Sequence, residues 1–225
     1  MTFSISARCQ RTGLIGIAVS SSSPAVAARC AHARARAGAV ATQNITDPTL
    51  GPRGLDLMAG GLSAADALTR LRAEGSHIDY RQLALIDAKG GTAAFSGPKT
   101  LGIHGAASAD GAVAAGNLLA NGDVPQRMID TFLAADHLDL GDRLMTAMRA
   151  AITAGGEAGP VHSAGMLLVR EVAWPVADLR VDWHEDDPIE ALAALWVLWK
   201  PQLDDYVTRA LNPASAPAYG VAGEQ

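Results

Sequence analysis

The chain has 225 residues, enough for one domain or two small ones, and is 49% hydrophobic but only 4% aromatic, so alanine, leucine and valine must fill much of its core. A formal net charge of −5 argues against nucleic acid or an anionic membrane as the main partner. No apolar run approaches the roughly 20 residues needed to span a bilayer, and no basic segment followed by an apolar stretch opens the chain, so a cytoplasmic protein is expected.

Phe3, Ile5 and Ala7 alternate with Thr2, Ser4, Ser6 and Arg8, the period of a half-buried strand. Cys9 to Gly13 reads as a turn and Leu14 to Val19 as the returning strand. These two should be antiparallel neighbours at the centre of one sheet. Ser20 to Ser23, Pro24 and an alanine-rich stretch make an irregular crossover to a third strand at Gly38 to Gln43.

Helices follow. One starts at Gly54 to Ala59, and Ser63-Ala64-Ala65-Asp66 resembles a capping box for a second, with Leu68 and Leu71 on one face. Arg81 to Asp87 and Thr92 to Ser96 flank Ala88-Lys89-Gly90-Gly91, a hairpin signal. Ala112 to Gly116 is a short strand. Asp123-Val124-Pro125 opens a helix, and Leu140 to Ile152 forms the next, ended by Gly155-Gly156.

Strands at Ser163 to Val169 and Asp178 to Trp183 precede a last helix that begins at Asp187-Pro188 and is kinked or divided by Pro201. Its Leu192, Leu195, Trp196 and Trp199 form a stripe that covers a sheet or a second copy of the chain, and a homodimer is expected. One domain spans residues 1–212, and residues 213–225 form a loose tail rich in Pro, Ala and Gly. Clustered strands and helices, without strict βαβ alternation, indicate an α+β fold.

Several chemistries lack their motifs. There is no phosphate loop, no dinucleotide fingerprint, no nucleophile elbow and no H-E-x-x-H. His184-Glu185-Asp186-Asp187 is better explained as acidic capping of the following helix than as a metal site. The alternating His32, Arg34 and Arg36 read as a solvated basic edge, and His104 as a surface histidine. No metal and no cofactor are assigned. Cys9 and Cys30, the only cysteines, are expected as free thiols.

The residue of chemical interest is Thr2. If Met1 is removed, the first strand begins with a threonine that carries a hydroxyl nucleophile and its own α-amine. That amine titrates at about 7.7–8.0, so it can serve as the base a hydroxyl needs. Asn117, at the end of the strand from Ala112, can present its amide as an oxyanion donor or simply bond its own loop. His162 and Ser163, which head the strand to Val169, can face a site or satisfy neighbouring backbone.

The ordered segments resemble a family of uncharacterised bacterial proteins assigned to the Ntn-hydrolase superfamily, whose members attack an amide with the first residue of the processed chain. The resemblance rests on Met1-Thr2-Phe3-Ser4-Ile5, Ala37 to Gln43, Gly51-Pro52-Arg53-Gly54-Leu55-Asp56-Leu57 and Gly61 to Ala64. Arg81-Gln82, Ala93 to Gly97, Gly116-Asn117-Leu118-Leu119 and Asp178 to Asp182 extend it over most of the chain. It implies a four-layer αββα sandwich of two antiparallel sheets. It further implies an amidohydrolase acting on a small amide or peptide-like substrate. Thr2 would be the nucleophile and Asn117 an oxyanion donor, with Gln43, His162 and Ser163 contacting substrate or orienting the amine. Ser20 to Pro24, Val161-His162 and Ala115 depart from the family pattern where substrate contacts would lie, so the resemblance implies a chemistry rather than a substrate. The competing reading is a non-catalytic αββα protein that binds a metabolite or serves in assembly.

Overall fold

Alternation along the first strand sorts its side chains onto two faces. The computed structural model describes residues 2–223. Strand β1 (Thr2–Arg8) pairs antiparallel with β2 (Ile15–Ser21) and with β8 (Ala112–Asn117). These strands lie inside a six-stranded sheet ordered β10-β9-β2-β1-β8-β7, completed by β7 (Gly105–Ala109), β9 (Ser163–Val169) and β10 (Ala177–Val181). The central antiparallel pair expected from the sequence is therefore present.

A second sheet has the order β3-β4-β5-β6, from β3 (Ala31–Arg34), β4 (Gly38–Asn44), β5 (Arg81–Asp87) and β6 (Thr92–Ser96). Every pairing in both sheets is antiparallel.

Helices cover the two outer faces. Phe3, Ile5 and Ala7 point outward from the larger sheet and pack with α4 (Val124–Ala134), α5 (Leu140–Thr153) and α6 (Pro188–Trp199). Phe3 and Ile5 are fully buried, which stabilises the fold by about 1.5–3 kcal/mol for each side chain. On the smaller sheet, Val40, Leu83 and Leu85 pack with α2 (Leu50–Ala59) and α3 (Ala64–Glu74). A third apolar cluster, including Ile15, Ile17, Ala39, Ala41, Ala84, Ile86, Val113 and Ala115, lies between the sheets. The result is an α+β fold in four layers, αββα.

Local chemistry explains most boundaries. Ser63 caps α3 by accepting from the Asp66 N–H, and Asp187 caps α6 by accepting from the N–H groups of Ile189 and Glu190. Gly155 and Gly156, both at positive φ, end α5. Helix α2 begins four residues before the expected start, because Pro52 falls in its first turn, where a missing N–H costs nothing.

The crossover after β2 is more regular than expected. It contains a short helix, α1 (Ala27–Cys30), and the edge strand β3. On that edge His32 is partly buried rather than solvated. It bonds the Arg29 carbonyl oxygen, and burial pushes its pKa down. Arg34 pairs with Asp56 at 2.7 Å. Strand β7 was not expected, whereas helix α7 (Leu203–Leu211) is the part of the last helix that the turn at Lys200–Gln202, around Pro201, divides from α6. Cys9 and Cys30 are free thiols.

The stripe on α6 is shifted from the expected one. Ile189, Leu192, Ala193 and Trp196 are buried against the sheet, whereas Leu195 is 37% exposed. Trp199 is partly buried and donates its indole N–H to the Val176 carbonyl oxygen. The helix is apolar almost all round, so spacing alone does not choose its inner face. Beyond α7, Tyr219 meets the Tyr206 ring edge-on at 6.1 Å, with the Arg209 guanidinium 3.9 Å from its centroid. Among the described residues no helix is long and apolar enough to cross a membrane.

Candidate functional site

The layer between the sheets changes character along its length. One end is the apolar cluster around Ile17 and Ile86. At the other end the same strand faces carry Thr2, Ser4, Ser21, Gln43, Gln82, Asn117 and Ser163, all buried. Buried polar groups are costly unless bonded, so this end has to be a built network.

Register places four of these residues in one row. Thr2 lies opposite Asn117, and Ser21 lies opposite Ser163. Phe3 pairs with Ser20, so one step further sets Thr2 beside Ser21. The row thus crosses β9, β2, β1 and β8 at the start of β1. Thr2 is 4% exposed and Asn117 is fully buried.

Behind the row, a chain of amides joins the two sheets. Ser4 Oγ donates to Gln43 Oε1 at 2.8 Å, and Gln43 Nε2 donates to Gln82 Oε1 at 2.7 Å. Asn117 Nδ2 donates to the same Gln82 oxygen at 3.0 Å. Gln82 Nε2 donates to the carbonyl oxygens of Gly116 at 2.9 Å and Gly105 at 3.3 Å, with Ser96 Oγ also at 2.9 Å. Carbonyls only accept, so they fix the orientation of Gln82, and Gln82 then fixes Gln43 and Asn117. Asn117 Oδ1 is left buried without a partner. Its Nδ2 keeps one further hydrogen beyond the bond to Gln82.

The other residues expected at a site are spread round this row. Gln43 is there, but both ends of its amide are engaged in the chain, so it supports Asn117 from behind. Ser163 Oγ donates to the Ser23 carbonyl oxygen at 2.6 Å and accepts from the Val26 N–H at 3.2 Å, which ties down the crossover. His162 stacks on Trp183 with ring centroids 4.5 Å apart, and its Nδ1 lies 3.0 Å from the His184 carbonyl oxygen. Removal of Met1, on which a free Thr2 amine depends, lies outside the described residues.

Two residues escaped the sequence reading. Gln82 entered it only as part of a matching dipeptide at a strand start. Glu157 gave no periodic signal, since it lies among glycines between α5 and β9. It is only 4% exposed, and its two carboxylate oxygens lie 3.2 and 3.3 Å from the Ser22 N–H. Burial pushes its carboxyl up to about 7, against the Ser22 hydrogen bonds and His162, which hold it down.

Among the described residues no group of three or more His, Cys, Asp or Glu side chains is arranged to hold a metal ion. A surface cavity of about 610 Å³ lies over α4 and α5, and none of Thr2, Asn117, Glu157 or Ser163 lines it.

Comparison with known proteins gives a family but no activity. The model of DUF1028, a family of unknown function, matches residues 2–192. No curated protein matches the chain. The crystal structure of a DUF1028 protein from Silicibacter pomeroyi is 33% identical, covers 92% of this chain and 91% of that one, and has a TM-score of 0.82. Anbu (ancestral beta-subunit) from Yersinia bercovieri is 12% identical over 92% of this chain and 97% of its own, with a TM-score of 0.41, too remote to bear on function. The family match over most of the chain, together with a relative that shares a third of its residues and its fold, shows that the protein belongs to DUF1028.

Proposed function

We propose that the protein is an amidohydrolase of the N-terminal-nucleophile type, with Thr2 as the nucleophile once Met1 is removed. The observation that carries this reading is the pairing of Thr2 with Asn117 at the buried polar end of the inter-sheet layer, where Asn117 Oδ1 has no partner.

In the proposed reaction, Thr2 Oγ attacks the carbonyl carbon of a small amide, and the hydroxyl proton passes to the Thr2 α-amine. The remaining Asn117 Nδ2 hydrogen and a backbone N–H bind the oxyanion. When the C–N bond breaks, the α-ammonium returns the proton to the departing amine. Water then attacks the threonyl ester and releases the carboxylic acid and free Thr2. No step in this scheme requires a cofactor.

A rigid strand suits this chemistry, because it holds hydroxyl, amine and amide in attack geometry. In this scheme His162, half-buried beside the crossover, meets the far end of a substrate. A dimer through the outer face of α6, where Leu195, Val197 and Leu198 are exposed, belongs to the same proposal and is tested by sedimentation velocity.

Intact mass and an acyl probe test the reaction. Protein purified from the native host should lack Met1 and gain the mass of one β-lactone probe at Thr2. Processed protein that no β-lactone labels would replace this reading with that of a metabolite-binding protein.

A further inference from the structure

The two strands beside β1 end level with its first residue, and Glu157 meets the chain that leaves each of them. On one side, the chain leaves β8 at Asn117 and turns through Leu118, at φ 51°, to Leu119. Leu119 pairs antiparallel with Glu157, and the Ala158 N–H donates to the Leu118 carbonyl oxygen at 2.9 Å. On the other side, the chain leaves β2 at Ser21 for Ser22, whose N–H meets the Glu157 carboxylate. Strands two places apart in a sheet are separated by about 10 Å. The Glu157 backbone is anchored on the β8 side and its carboxylate on the β2 side. The side chain therefore points from the β8 side toward the β2 side at the end of the sheet where Thr2 begins β1.

A second acceptor faces the same end of the sheet. Asn117 Oδ1 is fully buried, opposite Thr2, and unpartnered because Gln82 engages the nitrogen end of the amide. Two acceptors at the start of β1, one of them anionic, suit a cationic donor with several hydrogens. The α-ammonium of a processed Thr2 emerges at this point.

We propose that Glu157 is the positioning residue for the Thr2 α-amine, accepting a hydrogen bond from the neutral amine and pairing with the ammonium that forms when Thr2 Oγ gives up its proton. This inference rests on the hydrolase reading above. In the cycle the proton moves from Oγ to the amine and then to the leaving nitrogen. Glu157 keeps its own protonation state and acts through charge.

Other titratable groups on the segments round this crossing include His162, stacked on Trp183, Arg29 and Cys30 of α1, and His104 on the loop that bonds Leu118 and Leu119. Cys30 contacts Thr46 Oγ1 at 3.5 Å, and burial pushes its thiol up. All are common to the wild type and a Glu157 variant, so a difference between the two reports on Glu157.

The test uses processed full-length protein, wild type and E157Q, labelled with ¹⁵N-threonine. One arm titrates the α-amine by NMR, and the other follows the rate of β-lactone acylation of Thr2 against pH. A nearby carboxylate raises the pKa of an amine, so the amine should titrate lower in E157Q by about 1–3 units. The acidic limb of acylation should move down with it, and the plateau rate should fall. A purely structural role would change rate or stability without moving the limb.

An amine that titrates alike in both proteins, while both acylate, overturns the inference and leaves the hydrolase reading standing. An amine that shifts in a wild type that never acylates sinks the hydrolase reading and keeps the pairing. Should E157Q not fold, E157D is measured instead, with a smaller downward shift expected; no shift there overturns the inference as well.

Discussion

Gln82 dictates the orientation of the Asn117 amide. Its nitrogen is committed to the backbone carbonyls of Gly116 and Gly105, so its single oxygen must accept from Asn117 Nδ2 at 3.0 Å and from Gln43 Nε2 at 2.7 Å. Two carbonyls thereby set three side-chain amides across two sheets.

The first prediction concerns that control. Gln82→Ala leaves two buried donors and the Gly116 carbonyl unsatisfied, each costing on the order of 1–3 kcal/mol. Stability should fall by about 3 kcal/mol or more, and Thr2 acylation should fall with it. Equilibrium unfolding in urea measures the first. A loss below about 1 kcal/mol would mean that water or a neighbour replaces the amide.

Thr2→Ala separates the hydroxyl from the amine. Alanine also permits removal of Met1, so the variant keeps its α-amine and loses only Oγ. β-Lactone labelling should vanish while the melting temperature stays near that of the wild type. Labelling that persists at another residue would place the nucleophile elsewhere.

Asn117→Ala should slow acylation by on the order of a hundredfold, as expected for one of two oxyanion donors. The comparison that matters is with Gln43→Ala, which lies one bond further back in the chain. If Gln43→Ala costs more in rate than Asn117→Ala at equal stability, Asn117 is not the group that meets the oxyanion.

Glu157 gives stability a pH dependence with a definite sign. Where no Thr2 ammonium pairs with it, as in the chain that retains Met1, its carboxyl is raised from 4.5 to about 7 by burial, so the folded chain holds a proton that the unfolded chain releases across that interval. The contribution is fully present below pH 4.5 and is lost as pH rises through 7, by up to about 3 kcal/mol. Unfolding free energies of wild type and E157Q at pH 4.5 and pH 7.5 should therefore differ in slope, with E157Q the flatter. Parallel slopes would place the carboxyl in contact with bulk water.

Gly165 tests the seating of the crossover. A Cβ there would lie 2.4 Å from the Ala27 Cβ, so α1 approaches β9 at a distance only glycine permits. Gly165→Ala should cost about 1–3 kcal/mol as α1 is pushed off. It should also weaken the Val26 bond to Ser163, seen as faster exchange of the Val26 amide.

The sequence reveals the scaffold better than the site. The hairpin of β1 and β2 is visible because Phe3, Ile5 and Ala7 alternate with hydroxyl residues, and a five-residue turn leaves only one partner. Thr2 and Asn117 are visible because each ends such a strand. Gln82 is not, because a glutamine at a strand start looks the same whether it meets solvent or five atoms of a buried network. Glu157 is hidden for a different reason. Its environment is made by Ser22, 135 positions away in the chain, and no local pattern records that approach. Strand β7, Gly105-Ala106-Ala107-Ser108-Ala109, lacks large apolar residues and gains its place from pairing with β8, with only the small Ala107 and Ala109 packed on the core beneath α4.

The placement of β1 has a consequence for biosynthesis. Its partners are residues 15–21 and residues 112–117, and once both are paired Thr2 is 4% exposed. At a translation rate of about 5–20 residues per second, the later partner follows the earlier by roughly 5–20 s. On the proposed reading, an aminopeptidase that trims the nascent end works within that interval, before β8 pairs with β1. Slowing the enzyme, or hastening synthesis through the first half of the message, should leave a fraction of molecules that keep their methionine and stay permanently silent.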